Sequence, residues 1–258
     1  MDCPAEFVAF AERLADAAGP LVRRYFRQPL EIVTKADASP VTIADRETET
    51  LLRKLVAETF PQHGVIGEEF GSERAEAEHV WIFDPIDGTK SFITGRPLFG
   101  TLIGLLQHGR PILGLIDHPA LGERWIGAAG RETTFQGRPV KARPCADIAD
   151  AVLSASSPHM FADPAAEAAF SRVRARARLT IYGGDCYGYG LIASGLQDLV
   201  IEANNGIYDF LPLVAVLEGA GGVITDWQGR PLGVHSGDRV LAAGDRRLHQ
   251  AALELLNA

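Results

Sequence analysis

Residues 80–94, with the sequence VWIFDPIDGTKSFIT, decide the fold prediction. The first four residues are apolar and rich in β-formers, so they predict a buried strand. Pro85 lacks a backbone donor and disfavours the helical region at Asp84, and we therefore predict that the strand ends at Asp84. Gly88 and Thr89 then offer backbone N–H groups that can open a helix and bind an anion.

Two carboxylates, those of Asp84 and Asp87, lie three positions apart across this turn and can converge on one point. Carboxylates packed this closely repel each other unless a cation lies between them. Hard oxygen ligands beside an anion site favour Mg²⁺. The structural alternative is an Asp-rich turn with an Asp N-cap, because Asp, Pro and Gly are ordinary turn residues.

Composition limits the possible functions. The chain has 258 residues, a formal net charge of −8, 47% hydrophobic residues and 22% charged residues. These values are typical of a globular protein with a large core. The acidic balance predicts no nucleic-acid partner, since that binding needs clustered Lys and Arg.

The start of the sequence has no signal-peptide pattern and no apolar run is long enough to span a membrane, so we predict a cytoplasmic protein with no membrane partner.

The three cysteines, Cys3, Cys145 and Cys186, are scattered along the chain. They form no C-x-x-C pair and leave an odd count. The pattern therefore indicates neither a disulfide framework nor a thiolate zinc site.

Two amphipathic helices precede the central segment. Apolar residues at helical spacing predict one packing helix over residues 4–27 and a second over residues 42–60, with a turn at residues 37–40 between them. Asp45 lies in the first turn of the second helix.

Acidic residues also follow the next predicted strand. Glycines bracket a short apolar strand at residues 64–67, which delivers Glu68 and Glu69 at its end. A pair of solvated charges is the alternative for these two residues. Their place just before the Asp84 strand weakens that alternative.

The second half of the chain alternates helices and strands. Residues 98–106, 112–117 and 124–128 predict antiparallel strands joined by tight turns. The polar stretch 143–150 predicts a boundary, so we divide the chain into residues 1–145 and 146–258. Beyond the boundary a strand at residues 151–155 is followed by the predicted order helix, strand, helix, strand, helix, strand, strand, helix.

Residues 183–193, GGDCYGYGLIA, contain a formal match to the G-x-G-x-x-A fingerprint of dinucleotide sites. We reject that function because the preceding strand ends near Tyr182, so the first motif glycine is not in the tight strand-to-helix turn. The glycines instead predict a helix packed closely against a neighbour. Asp185 lies at the N-terminal end of this helix, where an N-cap is the structural alternative.

Residues 202–222, EANNGIYDFLPLVAVLEGAGG, predict a buried helix with Pro212 in its first turn. Asp209 is then at or next to the N-cap. The local pattern does not distinguish a metal ligand from a helix cap at this position.

Taken together, the separated motifs resemble the Mg²⁺-dependent inositol-monophosphatase-like phosphatases. The likeness runs from about Lys35 to Trp227. The matching pieces, in the order and spacing of that family, are residues 40–45, 67–69, 84–89, 208–209 and 218–222. Within the family, residues 81–95, 109–127 and 183–187 are most similar to the histidinol-phosphate phosphatase branch. Tyr208 stands where many members have Trp.

The resemblance implies an α/β protein with the five-layer α/β/α/β/α sugar-phosphatase fold, assembled as a homodimer. It implies Mg²⁺ as the cofactor, two or three ions per subunit. The implied metal ligands are Glu68, Asp84, the carbonyl of Ile86, Asp87 and Asp209. The metal and phosphate site then lies mainly in residues 1–145, and residues 146–258 complete the metal and substrate site.

The resemblance also assigns roles beyond the metal. Gly88 and Thr89 match the phosphate-binding residues of the family. Glu68, Thr89 and Asp45 match its catalytic group, which positions the attacking water, with Asp45 accepting a hydrogen bond from the Thr89 hydroxyl. The implied substrate-binding residues are Asp87, Asp185, Glu202 and Asp209.

Asp185 and Glu202 carry the argument about the substrate. An inositol pocket needs neutral donors and acceptors, whereas two acids suit a substrate with an ammonium or imidazolium group. Histidinol phosphate has both groups. We therefore predict a histidinol-phosphate phosphatase of histidine biosynthesis that acts on a small phosphorylated substrate. The alternatives are an inositol monophosphatase or other sugar or nucleotide phosphatase, and a non-catalytic metal- and phosphate-binding regulator.

Overall fold

The computed structural model describes residues 2–29, 33–34 and 40–258. Apart from Pro40, the turn predicted at residues 37–40 lies outside these residues. The described helices are α1 (Ala5–Tyr25), α2 (Ile43–Thr59), α3 (Thr89–Ile93), α4 (Pro164–Arg174), α5 (Tyr187–Ala193), α6 (Ile207–Gly219) and α7 (Arg246–Leu256). The described strands are β1 (Val33–Thr34), β2 (Pro40–Val41), β3 (Gly64–Gly67), β4 (Gly71–Glu73), β5 (His79–Asp87), β6 (Gly100–Gln107), β7 (Arg110–His118), β8 (Glu123–Ala128), β9 (Thr134–Phe135), β10 (Arg138–Pro139), β11 (Val152–Ala155), β12 (Leu179–Tyr182), β13 (Leu199–Glu202), β14 (Val223–Thr225) and β15 (Val240–Ala243).

Two large mixed sheets form the framework. The first has the strand order β10-β9-β8-β7-β6-β5-β3-β4, in which only β3 and β5 pair in parallel. The second has the order β12-β11-β13-β15-β14 and is parallel across β12, β11 and β13. The antiparallel run β6-β7-β8 and the order of elements after β11 agree with the sequence prediction.

Helices and sheets stack in five layers. α1 and α2 pack on one face of the first sheet, in a cluster that includes Phe10 and Trp81. α5 and α6 lie between the sheets, in a cluster that includes Ile82 and Phe210. Trp81 and Ile82 are neighbours in β5 and therefore face opposite sides of the sheet. α4, with Phe170, and α7 cover the outer face of the second sheet. The predicted α/β/α/β/α architecture is confirmed.

The first sheet ends with β10 and the second starts with β11. Our proposed division at residues 145–146 lies in the segment between them. α5 and α6 come from the second part of the chain but cover the first sheet, so the two parts share one hydrophobic cluster.

Three glycines in register let α6 approach the first sheet closely. Gly104, Gly114 and Gly127 lie opposite one another on β6, β7 and β8. A Cβ at Gly114 would lie 1.8 Å from the carbonyl oxygen of Pro212, and one at Gly127 would lie 2.2 Å from that of Ala215. Both distances are far below van der Waals contact, so this packing requires glycine. The glycine row therefore fixes the position of α6 and of its N-terminal end.

α1 has 21 residues and is amphipathic, with Phe7, Phe10 and Leu14 buried on one side. None of the helices in the described ranges is long and apolar enough to cross a membrane.

Candidate active site

Asp84 and Asp87 lie at the carboxyl end of β5. The strand continues to Asp87, so the predicted end at Asp84 is wrong. Its pairing with β6 is regular up to Asp84 and resumes at Asp87, with a bulge between them. The bulge accommodates Pro85, which has no N–H to pair, and the Thr101 hydroxyl donates a hydrogen bond of 2.8 Å to the Pro85 carbonyl oxygen.

Glu68 follows β3, which pairs in parallel with β5. Its N–H donates to the carbonyl oxygen of Phe83 at 3.3 Å and so extends the strand pairing by one residue. Since parallel strands end at the same edge of a sheet, Glu68 and Asp84 lie close together. The structure therefore brings together the two acidic strand ends singled out from the sequence.

Asp45 lies in the first turn of α2 and is 1% exposed. Its Oδ2 accepts hydrogen bonds from the Thr42 N–H at 2.8 Å and the Thr42 hydroxyl at 2.6 Å. Its Oδ1 has no hydrogen-bond partner among the described residues. Burial raises the pKa of Asp45 to about 6, although the bonds from Thr42 lower it and repulsion from Glu68 adds to the rise. A buried, unpartnered oxygen near Glu68 suits a bound water or cation.

The predicted hydrogen bond from Thr89 to Asp45 is wrong. The Thr89 hydroxyl instead donates to the carbonyl oxygen of Ile86 at 3.1 Å. This contact is local, because the hydroxyl reaches a carbonyl only three residues earlier. The Ile86 N–H in turn donates to Asp84 Oδ1 at 3.0 Å, which fixes the turn that carries the acidic residues.

Gly88 turns the chain from β5 into α3. Its φ of 78° lies in the left-handed region, which glycine adopts without steric cost. The Phe92 N–H donates to the Gly88 carbonyl oxygen at 3.0 Å, so a helix opens here as the sequence predicts. The N–H groups of Gly88 and Thr89 are consequently available for an anion.

Asp209 lies in the first turn of α6. The helix begins at Ile207, so its N-cap is Gly206, and the predictions of Asp209 at or next to the N-cap and of Pro212 in the first turn are wrong. Asp209 Oδ2 accepts a hydrogen bond from the Gly206 N–H at 2.7 Å. The Asp209 N–H in turn donates to the Gly206 carbonyl oxygen at 3.1 Å, and these two contacts let the helix start earlier than Pro212 indicates.

Oxygens of Asp84, Asp87 and Asp209, one from each carboxylate, lie within 4.8 Å of one another. Burial, followed by repulsion from neighbouring carboxylates, raises the pKa of Asp84 and Asp87. Burial, followed by repulsion from Glu68, raises the pKa of Asp209 to about 7. A cation between these groups would offset the repulsion, and carboxylate oxygens are ligands for hard divalent cations. The cluster could therefore hold a metal ion.

Asp185 lies beside the Gly88 turn. α5 begins at Tyr187 with Cys186 as its N-cap residue, so Asp185 is not a cap. Asp185 Oδ2 accepts a hydrogen bond from the Ser91 hydroxyl at 2.7 Å, and a Cβ at Gly88 would lie 2.6 Å from the same oxygen. Burial raises the pKa of Asp185, and the bond from Ser91 lowers it. The Asp185 carboxylate is thus next to the predicted phosphate-binding residues.

Glu202 ends β13 and is 5% exposed. Its Oε1 accepts hydrogen bonds from the Ser156 hydroxyl and, at 3.0 Å, from the Ser156 N–H. Its Oε2 accepts from the Tyr189 hydroxyl at 2.9 Å. Burial raises the pKa of Glu202, although the bonds from Ser156 and Tyr189 lower it. Glu202 therefore fixes Ser156 and adds negative charge to the wall of the site.

A cavity of about 460 Å³ joins these groups. The predicted site residues that line it are Glu68, Asp84, Ile86, Asp87, Gly88, Thr89, Asp185, Glu202 and Asp209. Asp45 does not line it.

Sequence reasoning missed other residues of the same cavity, namely Lys90, Ser91, Thr94, Arg96, Ser156, Ser157, Met160, Gly183, Asn204 and Asn205. The sequence does contain a signal for two of them: Ser156 directly follows strand β11, and Asn204 lies two residues after strand β13. Ligands in α/β proteins commonly bind at such carboxyl ends of strands. Arg96 carries no comparable signal.

Comparison with known proteins places these features in a family. A sequence model described as "Inositol monophosphatase family" matches residues 4–258. The chain is 50% identical to the "Bifunctional phosphatase IMPL2, chloroplastic" of Arabidopsis thaliana, over 97% of this chain and 75% of that protein. It is 38% identical to the "Histidinol-phosphatase" of Mycobacterium tuberculosis, over 95% of both chains.

The fold is similar to that of solved structures. An inositol monophosphatase from Zymomonas mobilis superposes with a TM-score of 0.91 at 43% identity, over 99% of this chain and 100% of that chain. An inositol monophosphatase from Anabaena superposes with a TM-score of 0.84 at 27% identity, over 98% and 95% of the two chains.

Proposed function

The chain belongs to the inositol monophosphatase family of phosphatases, and from this premise we propose that it is a Mg²⁺-dependent enzyme that hydrolyses histidinol phosphate. The observation that carries the proposal is the cluster of Asp84, Asp87 and Asp209 in one cavity with the N–H groups of Gly88 and with Asp185. The similarity to a protein named histidinol-phosphatase supports the choice of substrate.

The proposed metal ligands are the three clustered aspartates together with Glu68 and the Ile86 carbonyl oxygen. They fit a hard divalent cation because they are oxygens with an excess of negative charge, of which those of Asp84 and Ile86 are buried and the others half-buried. We propose two or three Mg²⁺ ions per subunit. Bound there, Mg²⁺ supplies charge neutralisation of the phosphate and lowers the pKa of water.

The protein's own groups bind and orient the phosphate. The N–H groups of Gly88 and Thr89 donate to its oxygens at the start of α3. The transition state of a phosphomonoester spreads charge over the equatorial oxygens, so donors that reach these oxygens stabilise it. Glu68, which lines the cavity, accepts a hydrogen bond from the attacking water and orients it.

Asp185 supports histidinol phosphate in particular. In this substrate the ammonium group is bonded to the carbon next to the phosphorylated CH₂ group, so ammonium and phosphate lie close together. The Asp185 carboxylate lies against Gly88, where it can accept from that ammonium while the phosphate occupies the neighbouring N–H groups. A neutral polyol would bring no cation to Asp185, and the carboxylate would repel the phosphate. The proposed enzyme therefore serves histidine biosynthesis.

We also propose a homodimer. Leu179 and Ile181, on the edge strand β12, are 49% and 46% exposed, and Leu196 is 64% exposed. Exposed apolar side chains on an edge strand favour a covering partner. Light scattering at micromolar concentration should give twice the chain mass of 27.8 kDa; a mass of one chain would contradict the dimer.

Phosphate release tests the proposed activity. Purified protein is assayed with histidinol phosphate, inositol 1-phosphate and glycerol phosphate, in Mg²⁺ and after exhaustive chelation with EDTA. We expect rapid release from histidinol phosphate that stops on chelation and returns with Mg²⁺. No release from any of the three substrates would favour the non-catalytic regulator instead.

A further inference from the structure

Glu49 is a buried carboxylate that the proposed chemistry does not use. It lies on α2, one helical turn after Asp45, and its side chain is 0% exposed. Its Oε2 accepts a hydrogen bond from the Glu69 N–H at 2.7 Å, and its Oε1 accepts from the Phe70 N–H at 3.2 Å. Glu49 therefore binds the backbone directly after Glu68.

Arg53 completes this contact. Its Nε donates to Glu49 Oε1 at 2.7 Å, and its second guanidinium nitrogen donates to the carbonyl oxygen of Gly71. The Arg53 side chain is 16% exposed, so the ion pair is largely removed from water. Charge-assisted bonds to backbone groups are strong in such a setting. Together the two side chains join α2 to residues 69–71.

The turn that carries Glu68 lies near the edge of the first sheet. It connects β3 to β4, and β4 is the last strand of the first sheet, with all three of its residues exposed. At Gly67 the chain passes directly over the Glu49 carboxylate, since a Cβ there would lie 2.0 Å from Glu49 Oε1. On the other side of the turn, the Glu68 N–H donates to Phe83. Glu49 and β5 therefore hold the turn from opposite sides.

We infer that Glu49 is a positioning residue, which holds Glu68 at the metal cluster through the backbone of residues 69–71. Asp45 and Glu49 are four positions apart and thus lie on one face of α2. A single helix in this way sets the position of Asp45 directly and that of Glu68 indirectly. The inference rests on the proposed role of Glu68 at the metal site but is independent of the organic substrate.

A double-mutant cycle on metal binding tests whether Glu49 positions Glu68. Mg²⁺ binding to metal-free protein is measured by titration calorimetry for wild type, Glu49→Gln, Glu68→Gln and the double variant. Gln keeps the shape of residue 49 but loses its charge and turns a donor toward the backbone N–H groups. We expect Glu49→Gln to weaken Mg²⁺ binding about 10- to 100-fold, the range typical of residues that orient metal ligands. In the Glu68→Gln background the same substitution should have little further effect.

Hydrogen exchange gives a second readout. The amides of Glu69 and Phe70 should exchange faster in Glu49→Gln than in wild type, while amides in β7 should be unchanged. Unaltered Mg²⁺ affinity, or equal losses from Glu49→Gln with and without Glu68, would overturn the inference. If phosphate release from histidinol phosphate fails while this cycle behaves as expected, the proposed function is wrong and the role of Glu49 stands.

Two further variants make the test decisive. Glu58→Gln is the matched control, since Glu58 lies on the same helix and forms an exposed pair with Lys54 at 3.8 Å; it should bind Mg²⁺ as wild type does. If Glu49→Gln does not fold, Arg53→Met replaces it, because this change leaves the Glu49 carboxylate but removes the Arg53 bonds to Glu49 and to Gly71. Arg53→Met should shift Mg²⁺ affinity in the same direction by a smaller factor, and a wild-type affinity would contradict the inference.

Discussion

The Ser91 hydroxyl donates a hydrogen bond of 2.7 Å to Asp185 Oδ2, across 94 positions of sequence. Ser91 belongs to α3, whose first N–H groups are proposed to bind phosphate. Asp185 belongs to the turn before α5, in which the Cys186 N–H also donates to Asp87 Oδ2 at 2.7 Å. This pair of contacts joins the proposed specificity residue to both the phosphate site and the metal cluster.

Replacing Asp185 by Asn should act on histidinol phosphate selectively. A charge-assisted hydrogen bond contributes about 1.5–3 kcal/mol, so the KM for histidinol phosphate should rise roughly ten- to a hundred-fold. Asn retains an oxygen that can accept from Ser91, so the turn before α5 should keep its position. Steady-state kinetics on the wild type and the variant measure the change.

Glycerol phosphate provides the control for this variant because it carries no cation. Its kcat/KM should barely change. Equal losses on the two substrates would make Asp185 a structural residue and remove the argument for a cationic substrate.

Replacing Asp84 by Asn should abolish most of the activity without unfolding the protein. The variant loses charge that holds the cation, and we expect kcat to fall by at least ~10²-fold, the scale of a lost transition-state charge interaction. Because burial, followed by repulsion from neighbouring carboxylates, raises the pKa of Asp84, the metal-free variant should be no less stable than metal-free wild type near neutral pH. Melting temperatures with and without Mg²⁺ measure this, and the Mg²⁺-induced rise should shrink in the variant.

The exposed Asp16, 70% accessible and paired with Arg124, gives the matched control. Asp16→Asn should keep activity and the response to Mg²⁺. If the wild type keeps full activity after exhaustive chelation, the proposed dependence on Mg²⁺ is contradicted, whatever the variants show.

Gly114→Ala tests the packing of α6 on the first sheet. The added methyl group would lie 1.8 Å from a backbone carbonyl oxygen, which cannot rotate away as a side chain can. We expect a loss of about 1–3 kcal/mol in the free energy of unfolding, or more. Chemical denaturation measures it. Gly237→Ala is the control, since a Cβ at Gly237 meets nothing within 4 Å; equal effects of the two variants would contradict the close packing.

The buried His249 predicts a loss of stability in acid. Thr225 Oγ1 donates to the Asp226 carbonyl oxygen at 2.7 Å, so its 2.9 Å contact with His249 Nε2 is donated by the ring. Burial, followed by repulsion from Arg246, lowers the pKa of His249 to about 4 from its usual 6.5. The unfolded chain therefore binds the proton first as the pH falls, and stability from this group is full above pH 6.5 and declines towards pH 4.

Between pH 6.5 and pH 4, protonation of His249 should lower the free energy of unfolding by about 3 kcal/mol. His249→Gln keeps a donor for Thr225 but removes the titration, so the free energy of unfolding should depend less on pH between 6.5 and 4. His235→Gln, at an exposed position, should leave the dependence unchanged. If the pH dependence of stability is the same in His249→Gln as in wild type, the lowered pKa of His249 is contradicted.

Much of the fold could be read from local patterns. Helical spacing predicts α1 and α2, and the alternation of strands and turns predicts β6 to β8, because these elements follow from apolar periodicity. The acidic residues Glu68 and Asp84 could also be singled out, since each follows an apolar run, although β5 continues past Asp84. Pairing of β3 beside β5 then brings them together.

What the sequence could not predict depends on contacts between distant residues. The bulge that carries β5 past Pro85 depends on β6, and the early start of α6 depends on the contact between Asp209 and Gly206. Nothing local shows that Asp185 bonds to Ser91, or that Glu49 holds the turn after Glu68. The homodimer and the cytoplasmic location stay predictions.

The ratio of kcat/KM for histidinol phosphate to that for inositol 1-phosphate tests the central claim most directly. Both substrates are measured on the same wild-type preparation at saturating Mg²⁺. Since a charge-assisted hydrogen bond contributes about 1.5–3 kcal/mol, the account predicts that histidinol phosphate is preferred by roughly ten- to a hundred-fold or more. A ratio of one or below would contradict it and would make the protein a phosphatase for inositol phosphate or another neutral sugar phosphate.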